Sequence, residues 1–265
     1  MSRLLAIDLD GTLLGNNLAI SPAVKRAVLL AVEQGVRVAI VTGRMFAAAR
    51  PFALQLELEG EIVCYQGAAI YDIRSRELLR ETPLKGEIAL RVAQRGLADG
   101  KHVQLYHDDA FYVQSVNEWS QLYAHLSGVQ PVVVASLPDT FANWDSTKVV
   151  VVAQPEEAAG YLGVVRELCG ADAYITRSQP EFIEAIDPGV DKGRALHWLA
   201  KRHGIALDAT IAIGDSWNDL PLLEAAAIGI AMGSAPPELM ARADAVVGDW
   251  HSDGVAEAIE KYVLQ

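Results

Sequence analysis

The sequence predicts an α/β protein, a parallel sheet with helical crossovers that is interrupted by an inserted α+β segment. Three observations predict it. Short apolar runs alternate with helix-length stretches at both ends of the chain, the pattern of a parallel sheet. In the middle, strand-sized segments come in pairs between helices, the pattern of an α+β layer. Finally, Asp8, Thr42 and Asp215 each stand directly after an apolar run, at the strand ends where open parallel sheets bind ligands.

In chain order, Leu4-Leu5-Ala6-Ile7 reads as a buried strand, Arg3 to Asp8. A helix follows, with Ser21 as N-cap, Pro22 at its first position and Gly35 beyond its end. Strand Val36 to Val41, a helix from about Arg44 to Glu57 and strand Ile62 to Tyr65 complete a βαβαβ order with right-handed crossovers. A hairpin is expected from Ala69 to Arg80. From Leu84 the character changes. Helix Lys85 to Ala98 precedes strands His102 to His107 and Ala110 to Gln114, then helix Asn117 to Leu126. Strands Pro131 to Leu137 and Lys148 to Ala153, helix Glu156 to Cys169, and strands Ala173 to Arg177 and Phe182 to Ile186 finish a layer expected to be open on one face. The α/β pattern then resumes. Helix Lys192 to His203 ends at Gly204, strand Thr210 to Ile213 and helix Leu220 to Ala226 follow, and strands Ile228 to Ala231 and Ala245 to Val247 alternate with helices Pro237 to Arg242 and Gly254 to Tyr262. Residues 1–83 and 187–265 are therefore expected to form one domain, and 84–186 an inserted one.

Hydrophobic residues make up 51% of the 265 residues, which supplies a sizeable core and excludes a disordered chain. The net charge of −12 argues against nucleic acid or an anionic membrane as partner. It also repels phosphates at long range, so a site for one must carry its own positive charge. Cys64 and Cys169 form no CxxC pair, and a reduced, cytoplasmic protein is expected. The apolar stretch before Asp8 is too short for a signal peptide, and no apolar run approaches the ~18 residues of a membrane span. A monomer or weak homo-oligomer is expected.

Period-two geometry turns Asp8 and Asp10 to the same side of the chain, and Gly11 allows a sharp turn after them. At ~4 Å two such charges repel by about 1 kcal/mol in water and about 4 kcal/mol at an effective dielectric of 20. A bound cation is the usual relief and a carboxylate nucleophile the usual use, against the plain alternative of a solvated turn. Arg44 and Lys192 are both predicted at helix N-termini. There a cation opposes the helix dipole, and a phosphate would reverse that penalty.

Asp8-Leu9-Asp10-Gly11-Thr12-Leu13, Thr42-Gly43-Arg44, Lys192 after Asp187-Pro188-Gly189-Val190-Asp191, and Gly214-Asp215-Ser216-Trp217-Asn218-Asp219 occur in this order across almost the whole chain. Together they resemble the motifs of the haloacid dehalogenase superfamily of phosphotransferases. The long gap between the second and third is similar to that of subclass IIB, which includes the Cof-type sugar-phosphate phosphatases. The resemblance implies a Rossmann-like core with an inserted α+β cap. It makes Asp8 the nucleophile that forms an aspartyl-phosphate, and Asp10 the group that protonates the leaving alcohol and then takes a proton from water. Asp8, the main-chain carbonyl of Asp10 and Asp215 become the expected Mg²⁺ ligands, with Asp219 behind them holding a metal water or Lys192. For Asp219, compensation of a helix dipole is the alternative. Lys192 contacts phosphate and the Asp8 carboxylate. Asn218 contacts phosphate or caps a helix. The Thr42 hydroxyl and the amides of Gly43 and Leu9 complete the phosphate cradle. Arg44 contacts the cap, the substrate's organic part or only the surface.

Two features depart from the pattern. Gln66-Gly67-Ala68 replaces the usual Asn-Gly-Ala, so a contact to the cap or substrate is expected to differ. Trp217 is large for its loop, and either stacks at the site mouth or packs on the sheet edge. His102 and His107 show no metal spacing. Tyr106, His107, Asp108, Asp109 and Glu184 are expected among cap positions that face the core. The activity implied is an Mg²⁺-dependent phosphatase for small phosphorylated metabolites, sugar phosphates foremost. The alternatives are a phosphomutase and a non-catalytic phosphometabolite-binding protein. Asp10 argues against the last, because binding alone would not require it.

Overall fold

The run Leu4–Ile7 is buried at every residue and pairs on both sides, with Thr210–Gly214 and with Arg37–Ile40. In the computed structural model, which describes residues 3–15 and 18–264, these strands belong to an all-parallel sheet. Its spatial order is Ala245–Val246, Ile228–Ala231, Thr210–Gly214, Leu4–Ile7, Arg37–Ile40. The chain winds one way from Leu4–Ile7 to Arg37–Ile40 and the other way to Thr210–Gly214. That reversal opens a crevice at the carboxyl ends of the strands, where Asp8, Thr42 and Asp215 follow their strands.

The flanking helices form where their signals stand. Ser21 Oγ accepts the Val24 amide at 3.1 Å, Pro22 opens the helix Pro22–Glu33, and Gly35 takes φ +80° beyond it. Val24, Ala27, Val28 and Ala31 recur at helical spacing and are buried. In the helix Lys192–Arg202, Asp191 accepts the Arg194 amide at 2.7 Å, and Ala195, Leu196, Leu199 and Ala200 face the sheet core.

Two sequence expectations for this half need correction. The third strand, Glu61–Cys64, ladders antiparallel with Ala69–Asp72, which pairs with Leu78–Glu81. It joins the parallel sheet only at the Val41–Val63 bridge. Tyr65 and Gln66 take φ +52° and +61°, and they turn the chain straight back after the strand. The second helix runs Phe46–Gln55, not Arg44 to Glu57. Residues 43–45 are spent on a turn in which Thr42 Oγ1 accepts the Arg44 amide at 3.2 Å.

The inserted segment folds into a six-stranded sheet of order Tyr174–Arg177, Phe182–Ile186, Val149–Val152, His102–His107, Ala110–Val113, Val132–Val133, antiparallel except for the last pair. Helices Gly86–Ala98 and Pro155–Cys169 cover one face through residues such as Ile88, Val92 and Val165. The other face, expected to be open, is not. Tyr123 and Ala124 of the helix Glu118–Ser127 lie buried on it with Tyr106, Phe111, Val150 and Phe182, in a cluster continuous with Phe46 and Tyr65 of the parallel domain. The strand expected over Pro131 to Leu137 shrinks to Val132–Val133. Ser136 Oγ accepts the Asp139 amide and Pro138 sits in the first turn, so the remainder becomes the short helix Leu137–Thr140. Among the described residues no helix is long and apolar enough to cross a membrane. Cys64 and Cys169 are free and buried.

His102 opens an inner strand of the insert, with its ring between the side-chain amides of Gln104 and Asn117. Burial lowers its pKa to about 4. An unfolded chain binds that proton near the ordinary histidine pKa, so stability falls as pH drops from about 6.5 toward 4. Urea unfolding of wild type and His102→Gln at pH 7 and pH 5 checks this. The variant is expected to lose less stability between the two pH values, and an equal loss refutes the assignment.

Candidate active site

Asp8 stands at the end of the strand Leu4–Ile7, where the chain must turn past the carboxylate of Asp215. Gly11 makes the turn at φ +81°, and a Cβ there would lie 2.2 Å from Asp215 Oδ2. Thr12 Oγ1 donates to Asp215 Oδ1 at 2.9 Å and fixes it. Lys192 reaches in from its helix start. Its Nζ donates to Asp8 Oδ1 at 2.5 Å and to Asp219 Oδ1 at 2.6 Å, with its side chain 0% exposed. The other oxygen of Asp219 accepts the amides of Asp215 and Ser216, each at 3.0 Å. Asp219 thus holds Lys192 and also the loop that carries Asp215. Both readings of Asp219 from the sequence meet here, because the two amides lie at a helical start.

Electrostatics in this cluster follow from burial and charge count. Burial and then Asp219 raise the Asp8 pKa well above the usual carboxylate range, with Lys192 opposing. Burial and Asp219 push Asp215 up to about 7. Burial disfavours the Lys192 ammonium, yet Asp219 and Asp8 outweigh it and its pKa is raised. One oxygen each of Asp8, Asp215 and Asp219 lie within 4.8 Å of one another, and three carboxylates share one ammonium. Such a cluster fits a divalent cation with hard oxygen ligands. Both oxygens of Asp219 are already occupied, so Asp8 and Asp215 have the oxygens to offer.

Asp10 faces the same crevice and is gripped by Arg44. Arg44 Nε donates to Asp10 Oδ2 at 2.7 Å and Nη2 to Oδ1 at 2.5 Å. Its Nη1 donates to the carbonyl of Leu126 in the insert at 2.8 Å. Arg44 is therefore not a free cation at a helix N-terminus. It lies before the helix, and the helix's first amides are taken by the insert, since the Asp109 carboxylate accepts Phe46 and Ala47 N–H at 2.8 Å each and the Tyr65 hydroxyl at 2.9 Å. Thr42 gives its amide to the Val63 carbonyl at 2.9 Å, and the residue lines the crevice. Leu9 is buried between the two acids. At Gly43 a Cβ would lie 2.2 Å from Gln66 Nε2, so a larger residue there would displace the Gln66 side chain. Asn218 Nδ2 donates to Gln66 Oε1 at 2.9 Å, and its own Oδ1 is buried with no partner. Gln66 Nε2 in turn donates to Glu184 Oε2 of the insert at 3.0 Å.

The insert covers this crevice and leaves a cavity of ≈ 210 Å³ lined by residues from both parts. Trp217 is 42% exposed, and the Arg177 guanidinium lies 4.5 Å from its ring centroid, so it stacks on the insert instead of packing on the sheet edge. Of the expected core-facing positions, Tyr106 and Glu184 are buried and Asp109 reaches the core. His107 instead stacks on Trp144 at 4.5 Å, and the Asp108 side chain is 88% exposed. The β-turn that sends Asp109 toward the core turns its neighbour out to solvent.

A model of the haloacid dehalogenase-like hydrolase family matches residues 5–259. The chain belongs to that family. It is 29% identical over 273 residues to the pyridoxal phosphate phosphatase of Escherichia coli, with 99% of each chain covered. It is likewise 29% identical over 268 residues to the HMP-PP phosphatase of Serratia proteamaculans, covering 99% of this chain and 96% of that one. Among solved structures, a haloacid dehalogenase-like hydrolase from Bacteroides thetaiotaomicron superposes with TM-score 0.86 at 26% identity, over 98% of this chain and 99% of that one. A subclass IIB sugar phosphatase superposes with TM-score 0.87 at 23% identity over 98% of each chain, a likeness of fold.

In this haloacid dehalogenase-like hydrolase the sequence reading missed Lys148. Its side chain is 2% exposed, and its Nζ donates to the Gly43 carbonyl at 2.9 Å and to Glu184 Oε1 at 3.3 Å. The signal was present: a lysine heads the run Val149–Val152, whose four residues are all buried, and a charge there must have a partner. The Lys192 cluster makes its own prediction. Lys192→Met leaves Asp8 and Asp219 buried without their cation and is expected to cost about 3–5 kcal/mol at pH 7. Denaturant titration measures it. Adding Asp8→Asn to Lys192→Met should return part of the loss, and strictly additive losses refute the coupling.

Proposed function

We propose that this phosphoric monoester hydrolase is an Mg²⁺-dependent phosphatase of small phosphorylated metabolites, sugar phosphates foremost, acting through an aspartyl-phosphate on Asp8. The observation that carries this reading is the Asp8 carboxylate, held on one oxygen by Lys192 and lining a cavity that Asp10 also lines. The named activities of the relatives in Escherichia coli and Serratia proteamaculans support the substrate class. The cavity volume of ≈ 210 Å³ lies below the ~300–1,000 Å³ of drug-sized sites and suits a small ester.

In this reading the phosphoryl group rests against the Leu9 and Gly43 amides, the Thr42 hydroxyl, Lys192 and Asn218 Nδ2. Asp8 attacks phosphorus through one carboxylate oxygen, and the P–O bond to the alcohol breaks. Asp10 gives the leaving oxygen its proton, then accepts one from the water that attacks the aspartyl-phosphate. Because Arg44 holds both Asp10 oxygens, the acid step requires Arg44 to release one of them. Asp8, the main-chain carbonyl of Asp10 and Asp215 would hold Mg²⁺, which supplies charge to neutralise the phosphoryl oxygens. Asp219 keeps Lys192 aimed at Asp8. Residues 84–186 act as the cap on a core of 1–83 and 187–265, closing over the ester to exclude bulk water, with hinges at Thr82-Pro83 and Asp187-Pro188-Gly189. The protein works in the cytoplasm on soluble metabolites.

Asp8→Asn is expected to abolish phosphate release with little change in far-UV circular dichroism. Phosphate release at near wild-type rates would sink the covalent mechanism. Asp10→Asn should lower kcat by about 10²–10⁴-fold for alkyl phosphates and by less for nitrophenyl phosphate, whose leaving group needs no proton. Equal losses would remove Asp10 from the acid role. Chelation should stop turnover and added Mg²⁺ restore it, and activity that survives full chelation refutes the metal requirement.

A further inference from the structure

The part of the cavity beyond the phosphoryl position belongs to the insert, and its charges cancel. Lys148 and Glu184 are each 2% exposed and pair at 3.3 Å. Every Glu184 oxygen is occupied: Oε1 accepts Lys148 and the Ser178 hydroxyl, and Oε2 accepts Gln66 Nε2. Lys148 is also anchored to the Gly43 carbonyl, so its charge is fixed beside the ester position. The nearest other cation on this side, Arg44, is neutralised by both oxygens of Asp10. A buried ion pair is expensive to desolvate and gives little net stability, which leaves its use at the cavity wall to be explained.

We infer that Lys148 and Glu184 form a leaving-group subsite selective for uncharged polyhydroxy alcohols. Here Glu184 excludes a second anionic group that Lys148 alone would attract. This rests on the phosphatase reading above. Lys148 keeps a third N–H beyond those given to Gly43 and Glu184, with the Tyr106 ring centroid 4.9 Å from its Nζ, and the buried Tyr123 hydroxyl faces that of Tyr106. Lys148 and Tyr123 line the cavity and can serve a hydroxyl or carbonyl oxygen. The rings of Tyr123 and Phe182, 6.2 Å apart, give the C–H face of such an alcohol an apolar wall. A carboxylate or second phosphate in the same place would find Lys148 already paired and the Glu184 carboxylate beside it. Specificity would then rest on a repulsive element as much as an attractive one.

The test compares two linear esters of the same carbon skeleton, sorbitol 6-phosphate and 6-phosphogluconate, which differ by a carboxylate, with the full chain, Mg²⁺ and nitrophenyl phosphate as reference. Wild type should prefer the uncharged ester by about tenfold or more in kcat/KM. Glu184→Gln should narrow that ratio by about tenfold, and Lys148→Met should widen it or leave it, while lowering kcat/KM for the polyol. Equal kcat/KM for the two esters in wild type overturns the inference without any variant. So does a parallel loss on both esters in Glu184→Gln, which marks a purely structural pair. Hydrolysis of nitrophenyl phosphate with neither discrimination nor response to Glu184→Gln refutes the subsite alone, whereas no hydrolysis of any ester removes the phosphatase reading beneath it.

Discussion

The Lys192 ammonium, buried between Asp8 and Asp219, is the interaction on which the site depends. An isolated ammonium at this depth would lose its proton, and two carboxylates without it would take one up. The contact therefore fixes the charge state of three groups at once. It also constrains the fold. Lys192 must begin a helix, Asp8 must end the strand Leu4–Ile7, and Asp219 must stand where its second oxygen can gather the amides of residues 215 and 216. Three segments far apart in sequence are tied by one side chain that no solvent reaches. Its place at a helix start, where the dipole disfavours a cation, makes sense only with acids facing it.

The insert is held over the crevice by contacts of a different kind. Asp109 caps a core helix, Arg44 reaches the Leu126 carbonyl, Lys148 reaches the Gly43 carbonyl, and Gln66 reaches Glu184. Several of these run from a charged side chain to a main-chain atom. Beside them runs the apolar cluster of Tyr106, Phe111 and Tyr123 with Phe46 and Tyr65, so separating the two parts would expose apolar surface as well. Two of these contacts fall on the loop after Arg37–Ile40: Gly43 carries the Lys148 anchor, and Arg44 joins the insert to Asp10.

Most elements were legible in the sequence because their signals are local. Ser21 and Pro22 mark a helix start, Gly204 follows a helix end, and the apolar runs are buried strands. Asp8, Lys192 and Asp215 were legible because residue type, position at a strand or helix end, and order agree. What failed was set by tertiary partners. The antiparallel ladder of Glu61–Cys64 follows from positive φ at Tyr65 and Gln66, two residue types that give no warning of it. Arg44 reads as a free cation until Asp10 and Leu126 are placed on it. Lys148 heads a run of valines in the sequence, but its partners Gly43 and Glu184 come from distant segments that only the fold brings to it.

The charges of the crevice also constrain how a phosphate can enter. Asp8, Asp10, Asp215, Asp219 and Glu184 face only Lys192, Arg44 and Lys148, and the protein as a whole carries −12. Each of the three cations is already committed to an acid, so none offers a phosphoryl dianion an unshared charge. Burial strengthens every one of these interactions, and the raised pKa values of Asp8 and Asp215 are the mark of negative charge in excess. A dianion therefore binds only if positive charge enters with it or an existing pair opens. A divalent cation at Asp8 and Asp215 meets the first condition, and release of Arg44 from Asp10 meets the second. In the proposed mechanism the second also frees Asp10 to act as the acid, so the Arg44–Asp10 pair is the contact with which an entering anion competes.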